Sequence, residues 1–111
     1  MEEKSYKEYL NHITTFVFDV DGVLTDGTII VTTSGELLRK MNIKDGFALK
    51  TAVDHNYNIC IISGGSNEGV KLRLEGLGIK DIYLGTHNKV KHLDEFLKKY
   101  NIKYENVLYM G

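Results

Sequence analysis

The run Phe16-Val17-Phe18-Asp19-Val20-Asp21-Gly22-Val23-Leu24-Thr25 ends an apolar stretch with two carboxylates one residue apart and follows them with a glycine turn. Alternate residues of a strand point the same way, so Asp19 and Asp21 stand side by side where the strand stops. Like charges at that spacing repel, and the pair requires a cation, a phosphoryl group or a shared proton. Phosphoryl transfer is the chemistry this suits. Asp19 can attack phosphorus as a carboxylate nucleophile. Asp21 can then protonate the leaving oxygen and later take a proton from water. A solvated Asp-Gly turn is the competing reading.

Two further groups follow in order along the chain. Ser63-Gly64-Gly65-Ser66-Asn67 leaves a second apolar run and opens a helix, so its backbone N–H groups and the helix dipole favour an anion. The Ser63 hydroxyl can donate to a phosphate oxygen; a plain strand-to-helix turn is the alternative. Lys89 stands at a helix start, where a cation is disfavoured unless something anionic compensates it. It is placed to offset Asp19 and a transferring phosphoryl group, although a lysine in isolation is usually a solvated surface residue.

These groups need strand ends to hold them. Apolar runs at 13–19, 59–62, 81–84 and 106–110 read as strands, the segment 4–10 as a short helix, and 28–33 with 36–43 as a hairpin turning at Ser34-Gly35. Asp45 is a helix N-cap for a segment running to about residue 55, with Phe47, Ala48, Leu49, Ala52 and Val53 available to the core. Asn67 caps the next helix and Gly78 stops it. The last helix starts near Lys89, with Val90, Leu93, Leu97 and Tyr100 on one face. Continuous apolar strands alternating with amphipathic helices predict an α/β fold. This is a three-layer, Rossmann-like parallel sheet with helices on both faces and a β-hairpin inserted after the first strand. Such sheets bind ligands beyond the carboxyl ends of their strands, where Asp19 and Ser63 fall and Lys89 follows.

Composition bounds the alternatives. One domain of 111 residues, with 14 basic and 15 acidic side chains and a net charge of −1, carries no global field for nucleic acid or a membrane surface. No apolar stretch approaches the roughly 20 residues of a membrane span, and the polar start Met1-Glu2-Glu3-Lys4 does not read as a signal peptide. The single cysteine, Cys60, is expected to pack as a small hydrophobe in the cytoplasm. No Cys/His cluster has zinc spacing. His87, in the loop before Lys89, is the one histidine placed to touch a substrate.

Taken in order, Asp19-Val20-Asp21-Gly22-Val23-Leu24-Thr25-Asp26-Gly27, Ser63-Gly64 and Lys89 resemble the first three motifs of the haloacid dehalogenase superfamily of phosphohydrolases. More narrowly, the chain resembles the capless 3-deoxy-D-manno-octulosonate 8-phosphate phosphatases, through Gly35-Glu36 in the hairpin and Asn42-Ile43-Lys44-Asp45-Gly46 after it. The resemblance implies Asp19 as nucleophile, Asp21 as acid/base and Lys89 as the neutralising cation. It implies Mg²⁺ on the Asp19 side chain and the Asp21 carbonyl, the phosphoryl group on Ser63 and the Gly64 amide, and Thr25, Lys44 and Arg73 toward the sugar-acid substrate. It further implies a homotetramer built through the hairpin, and a role in lipopolysaccharide biosynthesis.

Two departures accompany the resemblance. Family members often carry an arginine after the second-motif glycine, where this chain has Gly65. The superfamily's fourth motif is Gly-Asp-Asp and a further Asp, and Tyr109-Met110-Gly111 reaches only its glycine. The expectation is that the C-terminal part of the fold, with acids that complete the Mg²⁺ shell, is missing and that the 111-residue form is impaired. The alternatives are a phosphatase of a related nonulosonate 9-phosphate, an inactive or oligomer-forming fragment, and a receiver-like signalling domain.

Overall fold

The computed structural model describes residues 11–111; the helix expected over 4–10 lies outside them. Four parallel strands form the central sheet in the order β5-β4-β1-β6. They are β1 (Thr15–Phe18), β4 (Asn58–Ile62), β5 (Asp81–Tyr83) and β6 (Val107–Met110). The pairing Phe18↔Ile61 and Phe18↔Met110 aligns the carboxyl ends of β4, β1 and β6. Between β1 and the first helix lies a separate antiparallel hairpin, β2 (Ile30–Val31) and β3 (Leu37–Leu38). Its ladder is shorter than the 28–33 and 36–43 arms the sequence pattern suggests.

Strand alternation divides the core. Ile59 and Ile61 join Phe16 and Phe18 on the face covered by α1 (Ile43–Asp54) and α2 (Glu68–Gly76), with Leu49, Val70, Leu74 and Leu77 as the helical contribution. Val17, Cys60 and Ile62 face the other way, onto Phe96 and Leu97 of α3 (Lys89–Tyr100). A short 3₁₀ turn, Tyr104–Asn106, leads into β6. Helices on both faces of a parallel sheet are what near-continuous apolar strands require.

Several element ends differ from the sequence expectation, for physical reasons. Asn42, not Asp45, caps α1: its side chain accepts from the Lys44 amide at 2.7 Å, which moves Asp45 into the first turn. Phe47 is exposed, as are Ala48 and Val90. Phe96, absent from the expected stripe, is fully buried and packs edge-on to Tyr100. The apolar stripe of α3 therefore runs through Leu93, Phe96 and Leu97, with Val90 left outside it.

A buried acid marks the opposite end of the sheet. Asp81 opens β5 and accepts from Lys99 Nζ at 2.9 Å and from the Tyr100 hydroxyl at 2.7 Å. These bonds fasten the last turn of α3 to the start of β5, and satisfy a carboxylate that would otherwise be costly to bury.

Cys60 sits at the centre of β4 with no exposure, and burial first, then the charge of Asp81, pushes its thiol up to about 12. The unfolded thiol ionises near its ordinary 9.0, so the folded state loses relative stability as pH rises above that value. The native protein is expected to resist thiol reagents at pH 8 and to react once unfolded in denaturant. A Cys60→Ala variant is expected to lack the additional alkaline destabilisation. Rapid labelling of the native chain contradicts this.

Candidate active site

β1 ends at Phe18, and the backbone continues one step further along β6: the Asp19 amide donates to Met110 O at 2.9 Å. The chain then folds into a tight loop in which the Val23, Leu24 and Thr25 amides all donate to Val20 O. Gly22 adopts φ +82° within it, a backbone conformation that L side chains rarely take. The hydroxyl of Thr25, itself nearly buried, accepts from the Gly22 and Gly27 amides at 3.2 Å each. Thr25, expected toward the substrate, is therefore placed as the hydrogen-bond centre of this loop.

Asp19 is held by two hydrogen bonds. Lys89 Nζ donates to Oδ2 at 2.8 Å and the Val20 amide to Oδ1 at 2.7 Å, and the nearby Ser63 hydroxyl also favours the ionised carboxyl. Burial pushes the Asp19 carboxyl up, but these bonds and the Lys89 charge outweigh it and hold the group below its ordinary value. Lys89 is raised in turn, chiefly by its hydrogen bond to Asp19. The strained position of a cation at the N-terminus of α3 is thus compensated by the carboxylate it was expected to meet.

The loops after β4 and β5 are joined to one another. Thr86 N donates to Ser63 O at 3.1 Å, Gly85 N to Gly65 O at 2.9 Å, and Ser63 N to Tyr83 O at 2.9 Å. Asn88 caps α3 through the Lys91 amide, setting the helix start from which Lys89 reaches back to β1. Asn67 caps α2 through Val70 N. Ser63 is 2% exposed and Gly64 is exposed beside it, so the loop presents backbone and hydroxyl donors beside Asp19.

Asp21 has a cation of its own, which the sequence pattern did not single out. Arg39, just after β3, donates from Nε to Asp21 Oδ1 at 2.8 Å. A signal was available: two adjacent acids are poorly balanced by one lysine. Gly65, read as a departure, has a structural reason. A Cβ there would lie 3.1 Å from both Arg39 Nη2 and Asp21 Oδ2, so the glycine admits the ion pair against the loop.

The remaining expected residues stand apart from this cluster. Lys44 is exposed in the first turn of α1. The Arg73 guanidinium lies over Gly46, where a Cβ would come within 2.5 Å of Nη2. Among the described residues no hydrogen bond or ion pair joins either of them to Asp19, Asp21 or Lys89. His87 is exposed in its loop.

No protein-family model matches the chain. It is 38% identical over 100 residues to the 3-deoxy-D-manno-octulosonate 8-phosphate phosphatase of Salmonella typhi, covering 90% of this chain and 53% of that protein. Its fold matches, at a TM-score of 0.87 and 32% identity, the phosphatase of the same description from Moraxella catarrhalis, solved with magnesium, phosphate and KDO; the match covers 96% of this chain and 63% of that one. A Legionella pneumophila protein described as a hydrolase of the HAD superfamily, subfamily III A, matches at a TM-score of 0.89 and 30% identity, over 94% of this chain and 57% of that one. With the strand order and the motif residues at the strand ends, these likenesses place the chain in the haloacid dehalogenase superfamily. Within it, the chain is similar in sequence and fold to 3-deoxy-D-manno-octulosonate 8-phosphate phosphatases, and it spans about half the length of the curated relatives it matches.

The donor chemistry fits a hard divalent cation in kind. Asp19 and Asp21 offer carboxylate and carbonyl oxygens, which Mg²⁺ prefers, and Mg²⁺ commonly keeps several waters and shares its shell with a substrate phosphate. Among the described residues no group of three or more His, Cys, Asp or Glu side chains gathers to form a complete protein cage.

Because Lys89 is the strongest of the groups lowering Asp19, Lys89→Met is expected to raise the Asp19 titration in metal-free protein, as followed by carboxyl-carbon NMR. The sign for stability follows: the native contribution of Asp19 is present above its ordinary 3.8 and disappears as pH falls through its lowered value. Lys89→Met is expected to weaken that pH dependence. An unmoved Asp19 titration rules out the ion pair as its cause.

Proposed function

We propose that the chain carries the phosphoryl-transfer centre of a phosphomonoester hydrolase acting on a sugar-acid phosphate, with 3-deoxy-D-manno-octulosonate 8-phosphate as the leading substrate. The observation that carries the reading is the convergence of the Lys89 ammonium and the Val20 amide on one carboxylate, Asp19, at the carboxyl end of a parallel sheet, with Ser63 at the neighbouring strand end. The substrate choice is supported by the substrate for which the relatives are named and by the KDO and phosphate in the Moraxella catarrhalis structure.

In this reading the phosphoryl group rests on the Ser63 hydroxyl and the Gly64 amide. An Asp19 oxygen attacks phosphorus and the ester P–O bond breaks; Asp21, ion-paired with Arg39 at rest, takes up a proton from solvent as the anionic substrate binds and gives it to the departing sugar oxygen. Asp21, now a carboxylate, takes a proton from water as that water's oxygen attacks the aspartyl phosphate, releasing inorganic phosphate and restoring Asp19. Lys89 holds Asp19 in place and offsets charge on the phosphoryl oxygens. Mg²⁺, held by the Asp19 side chain and the Asp21 carbonyl, would supply further neutralisation of that charge when bound. Lys44 and Arg73 are assigned to the substrate carboxylate, a role that requires them to act beyond the cluster around Asp19.

The hairpin supports a homotetramer as part of the proposal. Ile30 and Val31 are 63% and 62% exposed and Leu37 and Leu38 both 43%, an apolar surface suited to burial between subunits. No helix among the described residues is long and apolar enough to cross a membrane. A cytoplasmic location is proposed from the unpaired, buried Cys60.

The test is phosphate release from 3-deoxy-D-manno-octulosonate 8-phosphate in the presence of Mg²⁺. Asp19→Asn is expected to abolish turnover, and Lys89→Ala to lower it by about 10²–10³ while the fold persists by circular dichroism. Retained turnover in Asp19→Asn removes the nucleophile assignment. No release by the protein that carries this chain together with the fourth-motif acids removes the proposed activity.

A further inference from the structure

Arg39 has no part in the chemistry above, yet it is the more buried cation of the site. Its side chain is 11% exposed, against 41% for Lys89. Nε donates to Asp21 Oδ1 at 2.8 Å and Nη2 reaches Oδ2 at 3.4 Å. A guanidinium offers five N–H donors in a planar fork, and these contacts engage one edge of it.

The guanidinium also lies against the anion-binding loop. The space a Cβ would fill at Gly65 is 3.1 Å from Nη2, so the guanidinium lies flush against the backbone that follows Ser63-Gly64. Asp21, Arg39, Ser63, Gly65 and Asn67 line one small cavity. The strand that delivers the arginine is fixed to the same loop, because Asn67 Nδ2 donates to Leu37 O at 2.9 Å. A largely buried fork with donors to spare, beside hydroxyl and amide donors, is suited to the oxygens of a phosphate.

We propose that Arg39 is a phosphoryl-binding residue supplied by the hairpin, one edge of its guanidinium holding Asp21 and the rest binding the phosphate oxygens of a substrate on the Ser63-Gly64 loop. This rests on the phosphohydrolase reading and adds a binding group to it. The hairpin then contributes to the site of its own subunit as well as presenting an apolar face.

Binding of inorganic phosphate to the full chain tests the proposal, by calorimetric titration of the parent protein, Arg39→Ala, Arg39→Lys and Lys89→Ala, with folding checked by circular dichroism. Arg39→Ala is expected to weaken phosphate binding by about tenfold or more, the scale of a lost charged hydrogen bond. Arg39→Lys should recover only part, since an ammonium cannot reproduce the fork. Unchanged affinity in folded Arg39→Ala overturns the proposal and leaves Arg39 as a hairpin anchor. Should Arg39→Ala not fold, undiminished affinity in Arg39→Lys overturns it instead. A loss in Lys89→Ala without one in the Arg39 variants removes only the role of Arg39. Absence of phosphate binding by the parent chain removes the phosphohydrolase reading with it.

Discussion

Asp19 and Asp21 follow the end of one strand, and each is met by a different cation, Lys89 at 2.8 Å and Arg39 at 2.8 Å. Like charges brought together repel, and a separate cation for each acid offsets that repulsion. The balance is assembled from distant parts of the chain, one cation at the start of α3 and one beyond the end of β3. Sheet, helices and hairpin can be understood as the frame that brings these four charges to one edge.

That frame is stiff where the chemistry is placed. The loops carrying Ser63 and Lys89 are joined by backbone hydrogen bonds at Ser63, Gly65, Gly85 and Thr86, so the Ser63 hydroxyl, its neighbouring amides and the Lys89 ammonium hold one relative position. Preorganised donors of this kind need no rearrangement as charge develops. The acid loop is tightened separately, through Val20 O and the Thr25 hydroxyl.

Much of this was legible in the amino-acid sequence because it depends on local pattern. The apolar runs form the strands, Asn67 caps α2 as its type and position predict, and Asp19 and Lys89 meet as their order along the chain implies. What escaped depends on geometry that spacing does not encode. Asn42 and Asp45 are both plausible caps, and the backbone chose the earlier one. Helical spacing alone puts Val90 on the stripe of α3, whereas the sheet face accommodates Phe96. Arg39 reaches Asp21 across 18 positions, a contact set by how the hairpin folds back.

α3 is anchored at both extremities: Lys89 bonds to Asp19 at the carboxyl end of β1, while Lys99 and Tyr100 bond to Asp81 where β5 begins. A helix of 12 residues is about 18 Å long, so it acts as a beam spanning the sheet from its inert edge to its reactive one. The aim of the Lys89 ammonium is therefore set partly by a hydroxyl and an ammonium a full helix length away. Surface positions that never approach a substrate can then be intolerant of change, through alignment and not through chemistry.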